Sequence, residues 1–107
     1  MKDLLVFCNA PDQAFAEKLA TQLVEERLAA CVNVLAPCQS FYRWEGHTES
    51  ACEIPLIIKT TRAVYPRLEQ RITLLHPYQV PEIVACEITQ GLPRYLTWVE
   101  QSVFSSD

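Results

Sequence analysis

Residues 31–61, CVNVLAPCQSFYRWEGHTESACEIPLIIKTT, read as two β-arms joined by a turn. Cys31-Val32-Asn33-Val34-Leu35 has the β-branched content of a strand, Ala36-Pro37-Cys38 interrupts it, and Phe41, Tyr42 and Trp44 resume it. Glu45-Gly46-His47-Thr48 supplies the turn. The returning arm, Ser50 to Thr61, carries Ile54, Leu56, Ile57 and Ile58, and Pro55 within it requires an edge or a bulge. At about 3.3 Å per residue such arms run roughly 40 to 50 Å, whereas a 100-residue domain has a radius of gyration of about 13 Å. The hairpin must therefore bend or protrude. A protruding hairpin bearing three aromatic residues and unpaired edges calls for a partner, and a second copy of the chain is the economical one.

Outward from the hairpin the pattern is regular. Leu4 to Cys8 is a short apolar strand that stops at Asn9-Ala10-Pro11-Asp12. From Asp12 to about Leu28 the residues Phe15, Ala16, Leu19, Ala20, Leu23, Val24 and Leu28 recur at helical spacing. After the hairpin, Arg62 to Leu75 is again helical, with Val64, Leu68, Ile72 and Leu75 on one stripe, and His76-Pro77 ends it. Pro81-Glu82 introduces a strand over Ile83 to Thr89, and a last helix begins at Pro93 with Leu96, Val99 and Val103 inward. The order β-α-β-β-α-β plus a C-terminal helix predicts an α+β, ferredoxin-like split βαβ fold with an antiparallel sheet and a long hairpin between the second and third strands. Residues 1–107 form a single domain, since two halves of such a chain would be too small to hold separate cores.

Composition narrows the function. The chain is 50% hydrophobic and 21% charged, with two glycines, which is globular rather than disordered. Nine Lys plus Arg against thirteen Asp plus Glu leave a formal charge of -4, which opposes the phosphate contacts of nucleic-acid binding. No apolar run is long enough to span a membrane, and the opening residues read as part of the fold rather than as an export signal. Five cysteines, at 8, 31, 38, 52 and 86, form no Cys-x-x-Cys pair, so reduced thiols in the cytoplasm are expected.

Catalytic patterns are missing: there is no phosphate-cradling glycine loop, nucleophile elbow, His-Glu-x-x-His or paired-cysteine zinc pattern. The protein is expected not to be an enzyme. What the topology does bring together is Cys8 at the end of the first strand, Glu53 near the start of the third and His76 at the end of the second helix. All three reach one end of the sheet, and a thiol, a carboxylate and an imidazole suit a borderline or soft ion such as copper or zinc. The helix that follows Cys8 would lower its thiol pKa and favour ligation. Each residue also has a plain structural role: Cys8 as a buried hydrophobe, His76 as a helix cap, Glu53 as a solvated strand residue, with His47 as surface decoration in the turn.

The runs Leu28-Ala29-Ala30-Cys31-Val32-Asn33-Val34, Tyr42-Arg43-Trp44-Glu45-Gly46, Ile57-Ile58-Lys59-Thr60, His76-Pro77-Tyr78-Gln79-Val80-Pro81-Glu82 and Tyr95-Leu96-Thr97-Trp98 resemble, in order and spacing, the CutA family of divalent-cation tolerance proteins. The resemblance spans nearly the whole chain. It implies a ferredoxin-like subunit in a tight cytoplasmic homotrimer whose hairpins pair across subunits, binding of copper or another divalent ion, and a part in heavy-metal tolerance. Cys8 and His76 fall where family members are proposed to hold copper, and Glu53 matches an acidic position linked to metal contact. Leu75 stands where some members carry a second histidine, which leaves the implied ligand set one short. A different class of function stays open beside it: a trimeric scaffold or signalling module that binds a small molecule or protein in clefts between subunits. An acyl-phosphate enzyme of this topology would need a phosphate loop with an arginine after the first strand, and Asn9-Ala10-Pro11-Asp12 supplies neither.

Overall fold

A computed structural model describes residues 2–104. The elements are β1 (Asp3–Ala10), α1 (Gln13–Glu25), β2 (Cys31–Val34), β3 (Cys38–Trp44), β4 (His47–Thr61), α2 (Tyr65–Leu75), β5 (Ile83–Glu87) and α3 (Pro93–Ser102). The sheet runs β2-β4-β1-β5, with β3 paired to the outer part of β4 and every pair antiparallel. This is the expected α+β, ferredoxin-like arrangement, its second strand divided into β2 and β3.

Pro55 explains the division. Val34 faces Leu56 and Cys38 faces Glu53, so three residues, 35–37, oppose two, 54 and 55, which is a bulge. Leu35 N–H donates to the Pro55 carbonyl at 2.9 Å, and the proline's missing donor falls where the neighbouring strand is interrupted. A strand that is interior at its base thus accepts a proline without orphaning a partner.

The core lies on one face of the sheet. Leu4, Val6, Cys8 and Ala10 alternate along β1 beside Ile54, Leu56, Ile58 and Thr60 of β4, and all are buried. Ala16, Leu19 and Leu23 of α1 and Leu68 and Ile72 of α2 complete that core, while α3 packs on β1 and β4 and buries Val99.

Helix α1 ends earlier than its apolar spacing predicts, because Arg27 adopts a left-handed φ of 59°. Leu28 N–H then reaches the Leu23 carbonyl at 2.9 Å and Arg27 N–H the Val24 carbonyl at 3.0 Å, a Schellman cap without glycine. The Arg27 guanidinium offsets that strain by donating to the Gln101, Ser102 and Val103 carbonyls at the end of α3. Val24, expected in the stripe, lies on the exposed side of the helix.

The hairpin protrudes. The molecule measures 44 × 25 × 23 Å with a radius of gyration of 14.4 Å, and every residue from Phe41 to Ser50 is exposed. Among the described residues no helix is long and apolar enough to cross a membrane.

Candidate functional site

Cys8, Glu53 and His76 do arrive at one end of the sheet, but not as a cluster. Cys8 leaves β1 on the helix-covered face and is 1% exposed, with its thiol 3.9 Å from the Asn9 carbonyl. Its partner across the sheet is Leu56, three residues beyond Glu53, so the strand alternation sends Glu53 to the opposite face. Among the described residues no three His, Cys, Asp or Glu side chains are placed to hold a metal ion.

The thiol is also the reverse of activated. Burial, followed by the Glu82 and Glu53 carboxylates, pushes Cys8 up to about 12, where the sequence led us to expect a lowering by the helix end. The N-terminus of α1 is already occupied, because the Asp12 carboxylate accepts the Phe15 N–H at 2.8 Å. That cap places a negative charge where the unsatisfied helix donors would have stabilised a thiolate.

His76 caps α2, its backbone N–H donating to the Ile72 carbonyl at 2.8 Å. Its ring is fully engaged. Nδ1 accepts the Tyr78 N–H at 3.1 Å, which requires it to be unprotonated, and Nε2 therefore carries the hydrogen that it donates to the Asn9 carbonyl at 2.7 Å. Phe15 meets the ring edge-on at 5.2 Å and Tyr78 tilts over it at 4.6 Å. The neutral imidazole thus pins the 76–82 loop to the end of β1, and as arranged neither nitrogen is free for a metal.

Glu53 is 8% exposed, correcting its plain reading as a solvated strand residue. Burial and the neighbouring Glu53 carboxylate push the Tyr78 phenol up to about 12. Beside the pair, Asn9 Nδ2 donates to Glu82 Oε1 at 3.3 Å. These groups line a cleft of about 850 Å³ between the hairpin and the 76–82 loop, to which Tyr42 and Trp44 also contribute and which neither Cys8 nor His76 reaches. Asn9, Tyr78 and Glu82 carried no assigned role in the sequence reading, and Tyr42 and Trp44 were assigned to an interface between copies rather than to a cleft. The one available signal was the Tyr78 to Val80 segment enclosed by Pro77 and Pro81, immediately after His76.

Comparison with known proteins gives a consistent result. The family described as CutA1 divalent ion tolerance protein matches residues 4–102. The divalent-cation tolerance protein CutA of Thermus thermophilus is 44% identical over 92% of this chain and 95% of its own length. The chloroplastic protein CutA of Arabidopsis thaliana is 39% identical over 92% of this chain, which spans 54% of that relative. The crystal structure of CutA from Xylella fastidiosa matches with a TM-score of 0.94 at 41% identity, covering 97% of this chain and 100% of that one.

Proposed function

The chain belongs to the CutA1 divalent ion tolerance family, and from that premise we propose that it serves divalent-cation tolerance as a cytoplasmic homotrimer that binds the ion without catalysing a reaction. The reading places the ion, copper ahead of zinc, at the end of the sheet that carries Cys8, Glu53 and His76. The observation that carries it is that the Cys8 thiol, at 3.9 Å, and His76 Nε2, at 2.7 Å, both lie beside the Asn9 carbonyl, because sulfur and nitrogen donors favour softer ions over magnesium or calcium.

The geometry sets the terms of binding. Cys8 must release a proton that burial and two carboxylates hold in place, and His76 must give up the Tyr78 N–H for its Nδ1 lone pair to reach an ion. Affinity is therefore modest and rises with pH as the thiol ionises. Titration of copper into the reduced protein should show Cys8→Ser and His76→Ala each losing most of the binding while Cys52→Ser keeps it. Equal binding by all the variants would refute the site.

Two features support the remaining parts of the reading. The exposed Phe41, Tyr42 and Trp44 on a projecting hairpin fit an interface between copies, which light scattering tests directly. The five cysteines are all unpaired, as a reducing cytoplasm would keep them.

The cleft beside Glu53 favours a second reading, in which the protein is a small-molecule-binding module and metal binding is incidental. Its volume is about 850 Å³, and neither Cys8 nor His76 lines it.

A further inference from the structure

A second cleft, of about 420 Å³, opens where the end of α1, the length of α2 and the residues that follow α3 meet, and no residue of the hairpin lines it. Two of its side chains are matched to each other: Arg71 donates through Nε to Glu26 Oε1 and through Nη2 to Glu26 Oε2, both at 2.8 Å. Arg67 is not matched. Among the described residues no carboxylate pairs with it, and its guanidinium lies over the Phe104 ring, 4.7 Å from the centre. Phe104 is fixed in turn, because its N–H donates to the Arg27 carbonyl at 3.0 Å, next to the carbonyls that the Arg27 side chain holds.

We propose that this cleft binds a small organic carboxylate, a single negative charge carried on an apolar body. The site is independent of the ion site and of the cleft beside Glu53. Three observations carry the proposal. The volume lies within the range of roughly 300 to 1,000 Å³ that small organic ligands occupy. Arg67 and Arg71 against Glu26 leave one net positive charge, which suits a monoanion. A guanidinium resting over a ring keeps N–H donors in its own plane, the fork that a carboxylate accepts in pairs, and the stack has already restricted its rotamers. Buried Leu28, the Phe104 ring and Leu74, which is 75% exposed, supply apolar surface for the body that carries the charge.

Other ligand classes fit worse. A metal ion or an organic cation would meet two guanidinium groups and a carboxylate that one of them already engages. A phosphate dianion would find one unmatched cation with the Glu26 carboxylate beside it.

The test is equilibrium dialysis of the full chain against 2-naphthoate, read by the fluorescence of the probe. Binding should be saturable and should weaken as salt is added, while 2-naphthalenemethanol and 2-naphthylmethylammonium, of the same shape, should bind far less. Arg67→Gln should weaken naphthoate by about fivefold, and Leu74→Ser by about threefold. Both residues are exposed, so both variants are expected to fold. Arg94→Gln, which alters an exposed arginine on α3 outside the cleft, should leave binding unchanged. Binding of the alcohol as tightly as naphthoate overturns the proposal, since the charge then does nothing. Equal losses from Arg67→Gln and Arg94→Gln, or full binding by both Arg67→Gln and Leu74→Ser, place the probe elsewhere and overturn it too, as does the absence of saturable binding.

Discussion

Strand β4 is two different environments in one element. From Ile54 to Thr60 its inward residues are at most 4% exposed, lying between β1 and β2 under two helices. From His47 to Cys52 the same strand pairs only with β3, no helix covers it, and Phe41 across from it is 74% exposed. The base half of β4 is rich in Ile and Leu where the tip half is HTESAC, yet β3 opposite the tip carries Phe41, Tyr42 and Trp44, which stay exposed because they lie beyond the core that α1 and α2 complete. The base is made for the fold of one chain. The tip carries apolar side chains that a single chain has no means to cover.

The largest expected effect is at the base. Leu56→Ala should cost about 3 kcal/mol in urea unfolding, the range of a fully buried leucine leaving a cavity. Equal tolerance of that change and of Phe41→Ser, which should fall within about 0.5 kcal/mol for the isolated chain, would abolish the distinction between the halves.

Trp44→Ala should reverse the pattern. The subunit fold should persist by circular dichroism while association weakens by about 2 kcal/mol, seen as dissociation on dilution in light scattering.

A smaller effect concerns a carboxylate that only the base buries. Asp3, opposite Thr61, is 5% exposed, and burial, then the hydrogen bond to and charge of Glu100, push it from 3.8 up to about 6. The native state therefore holds a proton that the unfolded chain has already released. The contribution of Asp3 to stability is full below about pH 4, is lost as pH rises through 6, and amounts to on the order of 1–2 kcal/mol. Asp3→Asn should remove this fall in a series of urea midpoints taken across that interval. The smallest of the set is Thr60→Val, which deletes the 2.8 Å bond to the Leu28 carbonyl and leaves that acceptor buried; about 1 kcal/mol is expected by thermal unfolding.

Elements whose signal lies in neighbouring residues were readable from the chain. The strand of Leu4 to Cys8, the hairpin, and an irregularity at Pro55, either an edge or a bulge, were all stated by local pattern. The early end of α1 was not, because Arg27 tolerates its left-handed conformation through carbonyls at the far end of the chain. The expected lowering of the Cys8 thiol pKa was wrong for the same reason. Cys8 has its thiol raised by carboxylates at 53 and 82, and His76 is occupied by the Asn9 carbonyl. Periodicity likewise places Tyr42 on a strand and Tyr78 in a loop without revealing that they share a cleft.

The turn at Glu45-Gly46 bears on the order in which the chain assembles. Both residues have positive φ, 49° and 83°, the two-residue turn whose twist matches a hairpin. From it, pairing can zip from Trp44 with His47 to Cys38 with Glu53 and onward past the bulge to Cys31 with Lys59, each step closing only a short loop. β1 must wait for the longer closure that brings Ala10 to Ile54 and Asp3 to Thr61. The projecting arm is thus expected to form before the body that anchors it. An added Cβ at Gly46 would meet nothing within 4 Å, so Gly46→Ala strains only the backbone. In stopped-flow measurements it should slow folding while leaving the unfolding rate nearly unchanged.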